Sequence, residues 1–272
     1  MPELPEVETV MRGMAKVLNK QRIDSIEVFS KQLRLPIPKA LATFAGEQVT
    51  TLKRRAKYII IPVKSGRVMI LHLGMTGRVT INPDASEKHD HFALTTARGD
   101  RLVYNDARRF GLVEVSDEAS LDHHRFFAHL GPEPFSEDFS AAYLRDTLAN
   151  KRSAIKVALM DQQTVVGVGN IYAAEALYRA RINPHMPAGD ASSAQLRELV
   201  RQVRVVLQQS IDAGGSSLRD YVQTDGELGY YQDQWRVYGR AGDKCQRRGC
   251  TGHIARSIQG GRSTFYCPDC QK

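Results

Sequence analysis

The four cysteines of this chain all fall near its end, in CQRRGC and CPDC: Cys245, Cys250, Cys267 and Cys270. Two close pairs separated by a hairpin-length segment can bring four thiolates into a tetrahedron around a zinc ion. A pair of disulfides is the alternative, which a reducing cytosol disfavours. Four sulfur ligands leave no open position for water or substrate. One structural Zn2+ is therefore expected, supplying the folding energy of a module too small to fold alone. The other end of the chain, MPELPEVETV, raises a second question. Pro5 suits a first helical turn, and acidic side chains favour the positive end of a helix dipole. Pro2 and Glu3 have no part in that. Removal of Met1 would expose the secondary amine of Pro2, and an α-amino group titrates near neutrality. Its attack on an aldehyde-like carbon gives an iminium, an electron sink, with Glu3 beside it to shuttle a proton. From these two residues alone, a proline that merely stiffens the terminus is the plainer account.

Further segments carry chemistry-bearing residues, each with a plain structural alternative. RRAKYII sets Lys57 at the head of a strand, where its amine either reaches a cleft at the sheet's end or stays on the surface. HLGMTG places Met75 in a glycine-bounded turn, an unusual setting for a core methionine. KHDHF carries His89 and His91 on one face of an extended segment; a metal pair is one reading, and a phosphate-contacting His89 with a packed His91 suits a basic protein better. NDARRFG presents Arg108, Arg109 and Phe110 together, the kit for holding open a duplex from which a base has been extruded. Its alternative is an ion-paired arginine couple over a core Phe110. In VVGVGNIYAAEAL, Gly167, Gly169 and Asn170 would let N–H groups approach a phosphate at a helix N-terminus, a weak signal alone. NKRSAIK adds Lys151, Arg152 and Lys156 as a basic patch, and Arg262 sits in GGRST at the tip of the cysteine hairpin. GGSSLRDYVQTDGELGYY is Gly-rich and bears Tyr221, Tyr230 and Tyr231, which suits a mobile loop over a pocket.

These groups need scaffolds. The chain has 272 residues, 42% of them hydrophobic, enough for one large domain or two ordinary ones. No apolar run of about 18 residues is present, so no membrane span is expected. The acidic N-terminus lacks the apolar stretch of a signal peptide, and a cytoplasmic protein is expected. A net charge of +8 favours a polyanionic partner, because Lys and Arg release counterions from phosphates, although a lysine-rich surface explains charge equally well. After the first helix, with its apolar face of Val7, Val10, Met11, Met14, Val17 and Leu18, come short runs such as IDSIEVF, QVTTLK, KYIIIPV, RVMILHL, HFALTTA, RLVYN and GLVEV. Their spacing predicts an antiparallel sandwich or barrel. The Pro-rich LGPEPFSED suits a linker, and helical periodicity follows. The longest helix is expected to begin at Ser192 with Gln195 completing a capping box. Its buried stripe is Leu196, Leu199, Val200, Val203, Val206, Leu207 and Ile211, and Gly214–Gly215 stop it.

PELPEV, RRAKY, HLGM, KHDH, RRFG, LGPEP, GVGNIYA and GRSTFYCPDCQ occur in this order along essentially the whole chain. Together they make it resemble the bacterial formamidopyrimidine-DNA glycosylases. Two departures are the C-x4-C spacing of the first cysteine pair, where many members have two intervening residues, and Ala107 where the family usually has proline. The resemblance implies an α+β multidomain fold, with DNA in the cleft between its halves. Residues 1–130 would be a catalytic β-sandwich with an N-terminal helix, 131–137 a linker, 138–236 a helix–two-turns–helix DNA-binding domain and 237–272 a zinc-finger hairpin. It also implies excision of 8-oxoguanine and formamidopyrimidines from double-stranded DNA, followed by cleavage at the abasic site, by a protein for which a monomer suffices. Pro2 would be the nucleophile, Glu3 the general acid, Lys57 a phosphate contact aiding β-elimination, and Arg262 a phosphate contact aiding δ-elimination. His89, Arg108, Lys151 and Asn170 match DNA-contacting positions. Met75, Arg108 and Phe110 match side chains that fill the space of the extruded nucleotide, and the segment around 216–231 would cover the extruded base. The related endonuclease VIII type, acting on oxidised pyrimidines, is the near alternative; Leu4 and the long covering segment favour the purine enzyme. A non-catalytic DNA-binding regulator is the distant one, and it leaves Pro2 and Glu3 without a purpose.

Overall fold

The computed structural model describes residues 2–216, 224 and 229–272. Helix α1 (Leu4–Leu18) starts with Pro5 in its first turn, where a missing N–H costs no intrahelical bond. Val7, Val10, Met14 and Leu18 are buried, and Met11 and Val17 pack partly against the same core. Eight strands follow: β1 (Ile23–Val28), β2 (Lys53–Arg55), β3 (Tyr58–Pro62), β4 (Arg67–His72), β5 (Arg78–Ile81), β6 (Asp90–Thr96), β7 (Arg101–Asn105) and β8 (Leu112–Asp117). They pair antiparallel into two four-stranded sheets, in the orders β1-β6-β7-β5 and β2-β3-β4-β8. Ile59, Ile61, Met69 and Leu71 from one sheet meet Val79, Leu94, Leu102 and Tyr104 from the other in one core shared with α1. This is the helix and β-sandwich the alternation predicts.

Two strands differ from the sequence expectation. QVTTLK makes only isolated bridges, Gln48 to Arg22 and Val49 to Val63, before β2 begins at its last residue. Arg78–Ile81, too short to stand out as a run, becomes β5 because β7 offers it four partners in register. Pairing, more than intrinsic preference, decides such short strands.

The helical part comprises α2 (Ala141–Leu148), α3 (Ile155–Met160), α4 (Asn170–Ala180) and α5 (Ser193–Asp212). Two turns and a short 3₁₀ segment, Ala188–Asp190, lead from α4 to α5. The capping box at the start of α5 is present: Ser192 N–H donates to Gln195 Oε1 at 2.9 Å, and Gln195 N–H to Ser192 Oγ at 3.3 Å. All seven residues of the expected stripe are buried. Arg204 of this helix donates to the carbonyl oxygens of Pro134, Ser136 and Phe139, so the proline-rich segment is clamped to α5. The hairpin β9 (Ala255–Gln259) and β10 (Arg262–Tyr266) turns on Gly260 and Gly261, with φ of +53° and +73°. A two-residue hairpin loop of this kind needs positive φ at both positions.

Two compact units result: Met1–Ala128 with Ile211–Gln232, and His129–Ser210 with Asp233–Lys272. Among the described residues, no helix is long and apolar enough to cross a membrane.

Candidate functional site

In the first unit, Pro2 and Glu3 are buried at the head of α1, with Glu3 in extended conformation as its N-cap. Glu3 N–H donates to Glu6 Oε2 at 2.9 Å, while Glu6 Oε1 accepts the N–H of Ser216 at 2.8 Å. The buried Glu6 carboxylate thus fixes the backbone at Glu3 and one end of the segment that returns at the Ser216–Tyr230 bridge. Sequence reasoning saw in Glu6 only a helix-dipole residue; its place in a capping-box spacing with Glu3 was the available signal. Tyr221 and most of the expected covering segment (217–223 and 225–228), like Met1, lie outside the described residues.

Lys57 follows a tight turn in which Ala56 has φ +54°, and Arg54 braces that turn by donating to the Ala56 carbonyl at 3.0 Å. Arg54 also pairs with Glu8 of α1 at 2.8 Å, which ties β2 to the helix that carries Pro2. Lys57 is 7% exposed, so the surface reading of this lysine does not hold. Close by, His72 stands opposite Tyr58 in the β3–β4 register, with ring centroids 4.8 Å apart. Burial, then the positive charges of Lys57 and Arg34, push its pKa down to about 4. Its Nδ1 accepts the N–H of Gly74 at 3.0 Å, so the neutral ring carries its proton on Nε2. Sequence reasoning passed over His72, although it begins the HLGM motif.

Asp106, fully buried, organises the remaining residues of this unit. Its Oδ1 accepts the Thr76 hydroxyl and the N–H of Arg108, and its Oδ2 accepts the N–H of Gly111 at 2.8 Å. Its main-chain N–H donates to the His89 carbonyl at 3.1 Å, and its carbonyl accepts from His91 Nε2 at 2.9 Å. His91 is therefore the packed member of the pair and His89, half-buried with φ +78°, the more accessible one. Met75 and Phe110 remain exposed at 36% and 43%, and the Arg108 guanidinium lies 4.7 Å from the centre of the Phe110 ring. Phe110 is not in the core. One carboxylate thus gathers Met75's turn and the Arg108–Phe110 loop, while the Asp106 main chain holds His89, and the sequence offered no sign of it beyond an aspartate two residues ahead of Arg108.

In the second unit, Asn170 opens α4, whose first N–H groups have no acceptor within the helix. Its side chain accepts from Lys156 Nζ at 2.5 Å and donates to the Ser263 carbonyl at 3.0 Å, which joins α4 to β10. Lys156 is fully buried in this contact, so it does not belong to the basic patch expected with Lys151 and Arg152. Lys151 is half-buried beside Thr164, and Arg262 is exposed at the hairpin turn. Glu175, also unmarked in the sequence, accepts the N–H groups of Arg236, Val237 and Tyr238 and holds the approach to the cysteine module.

The Sγ atoms of Cys245, Cys250, Cys267 and Cys270 all lie within 4.8 Å of one another, with Cys250–Cys267 at 3.6 Å and Cys245–Cys270 at 3.8 Å. A tetrahedral ion with bonds of about 2.3 Å requires sulfurs roughly 3.8 Å apart, so the four residues fit one metal ion. Their acidities have separated. Burial and the neighbouring thiols push Cys270 up to about 12. Burial raises Cys245 too, but hydrogen bonds from Tyr178, the Arg247 N–H and other thiols outweigh it and bring the group to about 7. Sulfurs so close cannot all ionise without a cation among them. The longer first loop is accommodated by pinning Arg247 on α4, where it donates to the Tyr178 carbonyl at 2.5 Å and lies 4.9 Å from that ring's centre.

Family models describing the formamidopyrimidine-DNA glycosylase N-terminal domain and H2TH domain match residues 1–113 and 130–222. A formamidopyrimidine-DNA glycosylase of Novosphingobium aromaticivorans is 50% identical, covering all of both chains. Among solved structures, a mutant Lactococcus lactis FPG in complex with Fapy-dG-containing DNA superposes with a TM-score of 0.91 at 34% identity, again over all of both chains. A MutM in complex with carbocyclic 8-oxo-G-containing DNA gives 0.89 at 34% identity and the same coverage. The chain belongs to the formamidopyrimidine-DNA glycosylase family.

Proposed function

We propose that this chain is a bifunctional DNA glycosylase and abasic-site lyase of base excision repair, acting on duplex DNA that carries 8-oxoguanine, formamidopyrimidines or abasic sites. The observation that carries the reading is the buried Pro2–Glu3 pair, pinned through Glu6 at the head of α1 in a member of this family. With Met1 removed, the Pro2 nitrogen attacks C1′ of the damaged nucleotide. The glycosidic bond breaks, and Glu3 supplies the proton that assists sugar opening and base loss. The resulting iminium draws electrons from C1′, so a C2′ proton becomes acidic. Its loss expels the 3′ phosphate, and a second elimination expels the 5′ phosphate, leaving a gap with phosphates at both ends. Lys57 contacts phosphate and aids the first elimination; Arg262 does so for the second. His89, Arg108, Lys151 and Asn170 contact DNA, while Met75, Arg108 and Phe110 fill the space of the extruded nucleotide.

The four cysteines hold one structural Zn2+, which when bound closes their module and leaves no position for substrate. Residues 1–130 form the catalytic domain, 131–137 the linker, 138–236 the DNA-binding helical domain and 237–272 the finger, and the protein works in the cytoplasm on nucleoid DNA.

Borohydride added to the enzyme with abasic-site duplex is expected to trap a covalent adduct through Pro2. Pro2→Gly should trap at least tenfold less while keeping its metal and most of its DNA binding; equal trapping by the mutant sinks the assignment. Faster cleavage of thymine glycol than of 8-oxoguanine duplexes would instead favour the pyrimidine-directed reading.

A further inference from the structure

The two loops assigned above to the vacated space share a support that neither motif reveals. Tyr104 of β7 is 1% exposed, and its hydroxyl lies between two glycines, one in each loop. A Cβ at Gly77 would stand 2.4 Å from that oxygen, and one at Gly111 would stand 1.8 Å from it. At Gly111 the hydroxyl is the nearest obstacle to a side chain, and at Gly77 it shares that place with the Leu73 carbonyl, which a Cβ would meet at 2.1 Å. The same oxygen lies 3.4 Å from the Leu73 carbonyl, at the start of the Met75 turn, and 3.4 Å from Asp106 Oδ2, at the start of the Arg108–Phe110 loop. Burial, then the Asp106 charge and hydrogen bond, hold the phenol protonated, so it acts as a donor.

The loops also touch directly. Gly74, at φ +68°, comes so close to the Phe110–Gly111 backbone that a Cβ there would lie 2.3 Å from the Gly111 nitrogen. Thr76 reaches Asp106 from the first loop, and Arg108 and Gly111 donate to the same carboxylate from the second. An exposed side chain on an independent loop must be ordered as it enters a base stack, at a conformational cost that a shared rigid base removes. Such an arrangement suits two apolar side chains, Met75 and Phe110, held a third or more exposed.

We propose that Tyr104 is a positioning residue that couples the Met75 turn to the Arg108–Phe110 loop, so that both enter the duplex as one body. It touches neither DNA nor the reacting atoms and acts through Asp106, Gly77 and Gly111. The inference rests on the space-filling role proposed for Met75, Arg108 and Phe110.

The test uses Tyr104→Phe, which keeps the ring and its place in the core, with 2-aminopurine beside the lesion to report unstacking in stopped flow. Tyr104→Phe is expected to keep a near-wild-type melting temperature, slow the unstacking step and lower kcat/KM for base excision from duplex by about tenfold. Cleavage of a ready-made abasic site in single-stranded DNA should be unchanged. Met75→Ala and Phe110→Ala should act non-additively in the wild-type background and additively in Tyr104→Phe. Thr76→Val, which leaves Tyr104 intact, should show the same split to a smaller degree, so a poorly folded Tyr104→Phe does not end the test. Wild-type unstacking in Tyr104→Phe and Thr76→Val, alongside its loss in Met75→Ala and Phe110→Ala, overturns the coupling alone. No change in any of the four overturns the space-filling role and the coupling with it.

Discussion

The cysteine module and the Asp106 hub are both small polar centres with exposed residues beside them, Arg262 at one and Met75 and Phe110 at the other, yet they are built in opposite ways. The four thiols come from one stretch of 26 positions and are themselves the interaction. The Asp106 carboxylate draws Thr76, Tyr104, Arg108 and Gly111 from three parts of the first unit, and two of those partners are main-chain N–H groups. A ligand set announces itself in sequence because its residue types are rare and their spacing is constrained. A carboxylate that organises backbone does not, because any residue supplies an N–H.

The largest expected effect lies at the cysteine tetrad. Cys267→Ser removes one of four ligands of the proposed metal ion and should lose it, and with it the fold of residues 245–270, since a structural zinc ion is worth on the order of 10 kcal/mol. Metal content by atomic spectroscopy and protease resistance would report it, and full DNA binding by a metal-free mutant would show the module to be dispensable. The first unit should stay folded.

Asp106→Ala is the corresponding break in the hub. It strands the buried Gly111 N–H and removes the acceptor shared by Thr76, Tyr104 and Arg108, and should cost about 3 kcal/mol, read as a lower urea midpoint. Lesion binding should fall further than stability predicts, since the loops that carry Met75 and Phe110 lose a common anchor. An Asp106→Ala protein as stable as wild type would remove the hub from the argument.

His72 tests the same loop by pH. In the unfolded chain it takes a proton near pH 6.5, whereas in the fold it stays neutral down to about 4. Its contribution to stability is thus fully present above pH 6.5 and is lost as pH falls to 4, by at most about 3 kcal/mol. His72→Gln, which keeps an acceptor for Gly74, should flatten that part of the stability profile; an identical slope in mutant and wild type would refute the neutral imidazole. Smallest is Ser192→Ala, which touches neither centre. It should cost about 1 kcal/mol through the α5 cap and leave metal content and lesion binding alone.

Much of the site was legible. Helical spacing placed α1 and the α5 stripe, and motif order identified the family on which the proposed roles of Pro2, Glu3, Lys57 and Arg262 rest. The residues that hold those groups were not legible. Glu6, His72, Asp106, Glu175 and Tyr104 act through neighbours distant in sequence, or through backbone atoms that every residue possesses. Lys156 shows the converse error: a lysine among basic residues reads as surface charge, yet its ammonium is buried against Asn170 and Ser263.

From sequence alone came the division into a strand-rich and a helical part, the cysteine tetrad and a proline behind Met1 that the first helix does not need. These depend on residue type and local spacing, which a linear string records. Glu3, read as equally spare, also serves as the N-cap of α1 in a capping box with Glu6. Only tertiary structure decided that Asp106 ties His89 and the loops of Met75 and Phe110 together, and that Glu6 ties the helix start to Ser216. Those are contacts between segments far apart in the chain, selected by packing and by the need of each buried polar group for a partner.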